Sequence, residues 1–177
     1  MYKRQDINGV GYEVILKTFA EPTMLELCTP IIYGSPKVAA YHRKALELPT
    51  NFSIIDSAKE AAPDKLSIVN CLDTEVKVEF SKPDAEAGHA ALLALEKAFE
   101  EYREGLIDVI VTAPINKHTI QSEDFKFPGH TEYIEQQLGE GEKALMILMK
   151  NDLRVALVTG HIPVSQIASS LTKDLIK

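Results

Sequence analysis

Apolar positions along the chain change their spacing from segment to segment, and each spacing predicts an element. Tyr12–Phe19 (YEVILKTF) carries an apolar stripe at helical spacing. It follows the turn Asn8-Gly9-Val10-Gly11, whose glycines allow close approach of a ligand or another backbone. Thr29–Tyr33, Phe52–Ile55 and Leu66–Val69 are short apolar runs that predict strands. Gly34-Ser35-Pro36 opens a helix over Lys37–Leu48, with Pro36 suited to the first helical position. Glu75–Phe80 alternates polar and apolar, as a half-exposed strand does. Pro83–Glu104 is the clearest helix: Ala90, Leu93, Ala94 and Ala98 share a face, and Gly105 is placed to end it.

The run Leu106–Thr112 (LIDVIVT) is short and β-branched, which predicts a buried strand of a parallel sheet, ended by Ala113-Pro114. Thr131–Leu138 returns to helical spacing. Ala144–Met149 and Leu153–Thr159 flank Lys150-Asn151-Asp152, a hairpin signal. Ser165–Lys177 predicts one helix or two short ones. Strands alternating with helices give an α/β fold with a mostly parallel sheet flanked by helices.

Chemistry concentrates after the predicted strand ends, where open α/β sheets bind ligands. Asn116-Lys117-His118 follows the Leu106–Thr112 run. Pro128-Gly129-His130-Thr131 opens a helix, and His161 sits between Gly160 and Pro163 after another apolar run. Lys117, His118, His130, Thr131 and His161 are the candidate groups. His42 and His89, on predicted helices, are read as packed or solvated. No HExxH, CxxC or G-x-S-x-G pattern occurs, so neither a self-contained zinc site nor a serine triad is indicated. From these residues alone the reading is a cation-bearing crevice for a small anionic ligand.

Composition narrows the partners. A net charge of -7 argues against nucleic acid or an anionic membrane, while an apolar share of 45% suits a globular core. Cys28 and Cys71 read as buried thiols in a reducing compartment. No run is long enough to span a bilayer and the N-terminus lacks a signal-peptide core, so the expected location is the cytoplasm.

The segments DINGVGYEVILK, VTAPINKHTI, FPGHTEYIEQQ and LRVALVTGHIPVSQIASSLT resemble the 4-hydroxythreonine-4-phosphate dehydrogenases of vitamin B6 biosynthesis, from Asp6 onward. The combination of Gly-His-Thr-Glu with a strand and a histidine about thirty residues later is specific to that pattern. The resemblance implies a fold similar to isocitrate and isopropylmalate dehydrogenases: two lobes, a homodimer, and an active site in the cleft. It implies NAD-dependent oxidation of a phosphorylated hydroxy-amino acid, followed by decarboxylation and assisted by a divalent metal (Zn, Mg or Co). Carried over by position, His130 and Thr131 bind substrate, His161 ligates metal, and Lys117 has a catalytic role. The family is about twice as long, so residues 1–177 are expected to be an incomplete N-terminal portion of a two-lobed enzyme, inactive alone. Residues 1–5 (MYKRQ) do not resemble family sequence. The nicotinamide-binding groups are expected outside this chain. Two alternatives stay open: a dehydrogenase of threonate or erythronate 4-phosphate, and a non-catalytic module that binds a phosphorylated metabolite.

Overall fold

A computed structural model describes residues 9–72, 85–114, 120, 121, 126, 127 and 129–176. The chain divides into two units, Met1–Tyr133 and Ile134–Lys177. The first unit is built on a parallel sheet of β1 (Ile31–Gly34), β2 (Ser53–Ile55) and β3 (Ser67–Asn70), in the order β1-β3-β2. Register pairs Ile32 with Ile68 and Tyr33 with Val69, and Ile55 meets Val69 from the other side. Side chains alternate across the sheet, so Ile32 and Ile68 share one face and Tyr33, Val69 and Ile55 the other.

The first face is covered by α1 (Gly11–Thr18) and α3 (Pro36–Ala45). Leu16, Ala39, Ile32, Leu66 and Ile68 form one buried cluster, edged by Tyr12, Ile15, Phe19, Leu25, Leu48 and Phe52. Helix α3 starts as its sequence predicts: the Ser35 side chain accepts from Val38 N at 3.3 Å and Pro36 follows. Between α1 and β1 lies α2 (Pro22–Leu27), six residues opened by Pro22. It was not expected. Too short to show a period, it is marked only by that proline.

The long helix α4 (Ala85–Arg103) packs against β1, and its Glu101 is bonded by Tyr33 of the second sheet face. Its first turns bury Ala87 and Ala90 against Val38 and Leu72. Glu101 is 2% exposed. Its Oε2 accepts from the Tyr33 hydroxyl at 2.6 Å and from Ala58 N at 3.0 Å, in the 3-10 turn Ala58–Glu60. Burial alone would raise the Glu101 pKa. The bonds from Tyr33, Ala58 and Ser57, with the Lys97 ammonium nearby, outweigh it and hold the carboxyl below its ordinary value.

Two sequence expectations are corrected here. Leu106–Thr112 is not a strand: Val109 is 71% and Val111 88% exposed. A β-branched run favours a pleated backbone, but a strand exists only with a hydrogen-bonded neighbour, and none among the described strands pairs with this run. The thiols are not both buried either, since Cys28 is exposed and Cys71 half-buried. Of the histidines read as structural, His42 is buried with its ring stacked on Tyr12 at 5.3 Å, and His89 is exposed. The alternating run Glu75–Phe80, and residues 1–8, lie outside the described residues.

Helix α5 (His130–Leu138) runs across the boundary between the units. The second unit then contains the antiparallel hairpin β4 (Met146–Lys150) and β5 (Leu153–Leu157), as its apolar runs and polar turn predict. Asn151 takes φ 51 in that turn, a left-handed conformation that asparagine tolerates better than most residues. Two short helices follow, α6 (Val164–Ser170) and α7 (Lys173–Ile176). No helix among the described residues is long and apolar enough to cross a membrane.

Candidate functional site

The turn before α5 supplies the most developed group. Gly129 precedes the helix, His130 and Thr131 are its first two residues, and both are half-buried. The first N–H groups of a helix have no partner inside it, and the helix dipole favours an anion there. Burial holds the His130 pKa below its ordinary value, so its imidazole is neutral near pH 7. A neutral ring gives one N–H donor, and the Thr131 hydroxyl gives another. Together with the helix end these can hold a phosphate or carboxylate without a permanent counter-charge.

Two acidic residues of α5 could oppose such an anion. Glu135 is directed elsewhere, because its Oε2 accepts from Ala144 N at 2.9 Å. Glu132 lies in the first turn and is half-buried.

Tyr133 closes the first turn and is 3% exposed. Its ring lies 5.7 Å from that of Phe99 on α4 and 5.1 Å from that of Phe127. Its hydroxyl donates to Glu96 Oε1 at 3.3 Å, and Gln121 Nε2 donates to the Phe127 carbonyl at 2.7 Å. These supporting residues were not foreseen. Tyr133 on an apolar helix face was visible in the sequence; its partners on α4 were not.

In the second unit His161 is exposed, in the turn after β5, with φ 56. Histidine enters this left-handed region more often than most residues, and the conformation sets its side chain off the strand line. A metal centre needs more than one such group. Among the described residues no cluster of three or more His, Cys, Asp or Glu is placed to hold an ion. The structure thus brings His130 and Thr131 together at one helix start, while His161 belongs to the other unit. Lys117 and His118 lie outside the described residues.

One further concavity lies past the end of β3. It has a volume of about 460 Å³ and is lined by Asn70, Cys71, Leu93, Glu96, Lys97 and Glu100. Lys97 Nζ stands 2.6 Å from Glu100 Oε2, so its charge is already met, and Glu96 adds a second carboxylate. Burial pushes the Cys71 thiol up to about 11, far from a reactive thiolate. This hollow is not built for an anion.

The profile of the family described as pyridoxal phosphate biosynthetic protein PdxA matches residues 26–177. The chain belongs to the PdxA family. A 4-hydroxythreonine-4-phosphate dehydrogenase of Bacteroides thetaiotaomicron is 78% identical over 172 residues, covering 97% of this chain and 47% of the relative. A D-threonate 4-phosphate dehydrogenase of Cupriavidus necator is 33% identical over 160 residues, covering 89% of this chain and 47% of the relative. Among solved PdxA-type structures, the 4-hydroxythreonine-4-phosphate dehydrogenase of Burkholderia phymatum superposes with a TM-score of 0.85 at 29% identity. That match covers 97% of this chain and 52% of the other. The chain therefore spans about half the length of the curated relatives it matches, and its α/β fold with a parallel sheet is that of PdxA structures.

Proposed function

We propose that this chain is the N-terminal portion of an NAD-dependent dehydrogenase that oxidises 4-phosphohydroxy-L-threonine and releases carbon dioxide, giving 3-amino-2-oxopropyl phosphate for pyridoxal phosphate synthesis. The observation that carries the reading is the 78% identity to a relative of that name. A second substrate, D-threonate 4-phosphate, is favoured by the 33% identical relative and ranks behind the first on that ground. The full-length enzyme is read as a cytoplasmic homodimer, as the family resemblance implies.

In this reading His130 and Thr131 anchor the substrate, supported by their place at the start of α5. Neutral His130 donates one ring N–H, Thr131 donates its hydroxyl, and the N–H groups that open the helix, which have no acceptor within it, complete the cradle. Bound NAD supplies the chemistry of hydride acceptance. Lys117 is assigned the catalytic proton transfer on the family pattern. His161 is assigned to a divalent metal as a single exposed ligand. The described residues do not make a complete metal site.

Kinetics of variants test the anchoring roles in a full-length dehydrogenase that carries this chain. His130→Ala and Thr131→Ala are each expected to raise the Michaelis constant for the phosphorylated substrate at least tenfold, about the worth of one charge-assisted hydrogen bond. If Thr131 is only a helix cap, its loss costs about 1 kcal/mol of stability and leaves substrate affinity alone. Wild-type Michaelis constants in both variants would reject the assignment.

A further inference from the structure

We propose that Phe99, Tyr133 and Phe127 form an aromatic clamp that aims the start of α5, making them positioning residues for the anion held by His130 and Thr131. The inference rests on the substrate-anchoring reading above and adds what holds that anchor in register.

The geometry is specific. Tyr133 stands three residues after His130 and two after Thr131, in the same first turn. It is gripped from two directions. Phe99, 1% exposed, approaches from α4 with its ring plane tilted 34°. Phe127, three residues before α5 in the chain, approaches with its plane tilted 58°. Both centroid distances fall in the range where aromatic pairs attract beyond simple burial. The Tyr133 hydroxyl reaches Glu96 on α4, and Gln121 holds the Phe127 carbonyl. Phe127, the helix start and α4 are therefore tied through one ring.

The backbone N–H groups that share the anion with His130 and Thr131 have no side-chain torsion to adjust, so their direction comes from the packing beneath the first turn. Each residue along a helix turns the side chains by about 100°, so a small rotation of the first turn carries both donors off a bound anion. Phe127 is partly buried, and its ring packs on the buried Tyr133.

The test uses a full-length dehydrogenase carrying this chain, with 4-phosphohydroxy-L-threonine as probe. Phe127→Leu is expected to raise the Michaelis constant about tenfold with a smaller change in kcat, and with a melting temperature close to the parent. Phe127→Tyr, which keeps the ring, is expected to restore the parent value. Phe127→Met repeats the measurement without a ring, with the same two outcomes, should the leucine variant fold poorly. An unchanged Michaelis constant in Phe127→Leu, when His130→Ala raises it, overturns the clamp and leaves the anchor standing. A Michaelis constant that rises only in step with a falling melting temperature also overturns it, in favour of plain packing. Unchanged values in His130→Ala and Thr131→Ala remove the anchor, and the clamp falls with it.

Discussion

Replacing the buried Glu101 by glutamine isolates one charge at the junction of α4, β1 and the turn after β2. The carboxylate accepts two bonds on Oε2, at 2.6 Å from the Tyr33 hydroxyl and 3.0 Å from Ala58 N. Glutamine has nearly the same shape and can present its carbonyl oxygen to Tyr33 and Ala58, while its amide replaces the oxygen that Lys97 Nζ approaches at 4.0 Å. Bonds to a charged acceptor contribute about 1.5–3 kcal/mol each and neutral ones about 0.5–1.5. The loss is then about 1 kcal/mol per bond, or about 2 kcal/mol in all, partly offset because a neutral amide is cheaper to bury. The carboxyl is held below its ordinary pKa in the folded chain, so its contribution is fully present above the unfolded value of about 4.3. It disappears as pH falls through the folded value, because the unfolded chain then takes up the proton first. Urea unfolding at pH 7 and below pH 4 reads this directly. The chain has no tryptophan, so far-UV circular dichroism is the probe. The parent is expected to exceed Glu101→Gln by about 1–2 kcal/mol at pH 7, with the gap closing in acid. A gap of zero at pH 7, or one that persists unchanged in acid, would refute the reasoning.

Two other variants probe separate parts of the account. A Cβ on Gly34 would collide with the Tyr12 hydroxyl, which accepts from Ser35 N at 2.8 Å; Gly34→Ala is therefore expected to cost about 1–3 kcal/mol, and clearly less in a Tyr12→Phe background. Denaturation of the four members of that cycle measures it, and strict additivity would contradict the contact. His161→Ala in the full-length dehydrogenase should abolish metal-dependent turnover without lowering the melting temperature much, since the residue is exposed; unchanged metal affinity would return His161 to a turn residue.

The elements legible in the sequence are those whose information is local. The apolar runs of β1, β2 and β3, the Ser35-Pro36 start of α3, the long stripe of α4 and the Asn151-Asp152 turn each declare themselves within about ten residues. The illegible ones depend on distant partners. Leu106–Thr112 has strand composition, but composition supplies no neighbouring strand. Glu101 sits in the acidic stretch Phe99-Glu100-Glu101-Tyr102-Arg103-Glu104, where nothing separates it from solvent-facing Glu100; its partner Tyr33 is 68 residues away. The candidate site divides in the same manner. His130 and Thr131 at a helix start follow from Pro128-Gly129 and the helical spacing after it. The rings beneath them involve Phe99, distant in the chain, and only folding reveals the pairing.

The central claim is that the chain forms part of a dehydrogenase for a phosphorylated hydroxy acid, and NADH formation tests it most directly. A full-length dehydrogenase carrying this chain should reduce NAD with 4-phosphohydroxy-L-threonine, at a higher kcat/KM than with D-threonate 4-phosphate. The isolated 177 residues should form none, because positioning hydride donor and acceptor contributes on the order of 7–11 kcal/mol and needs the whole cleft. NADH formed by the isolated chain, or none formed by the full-length protein with either substrate, would contradict the account.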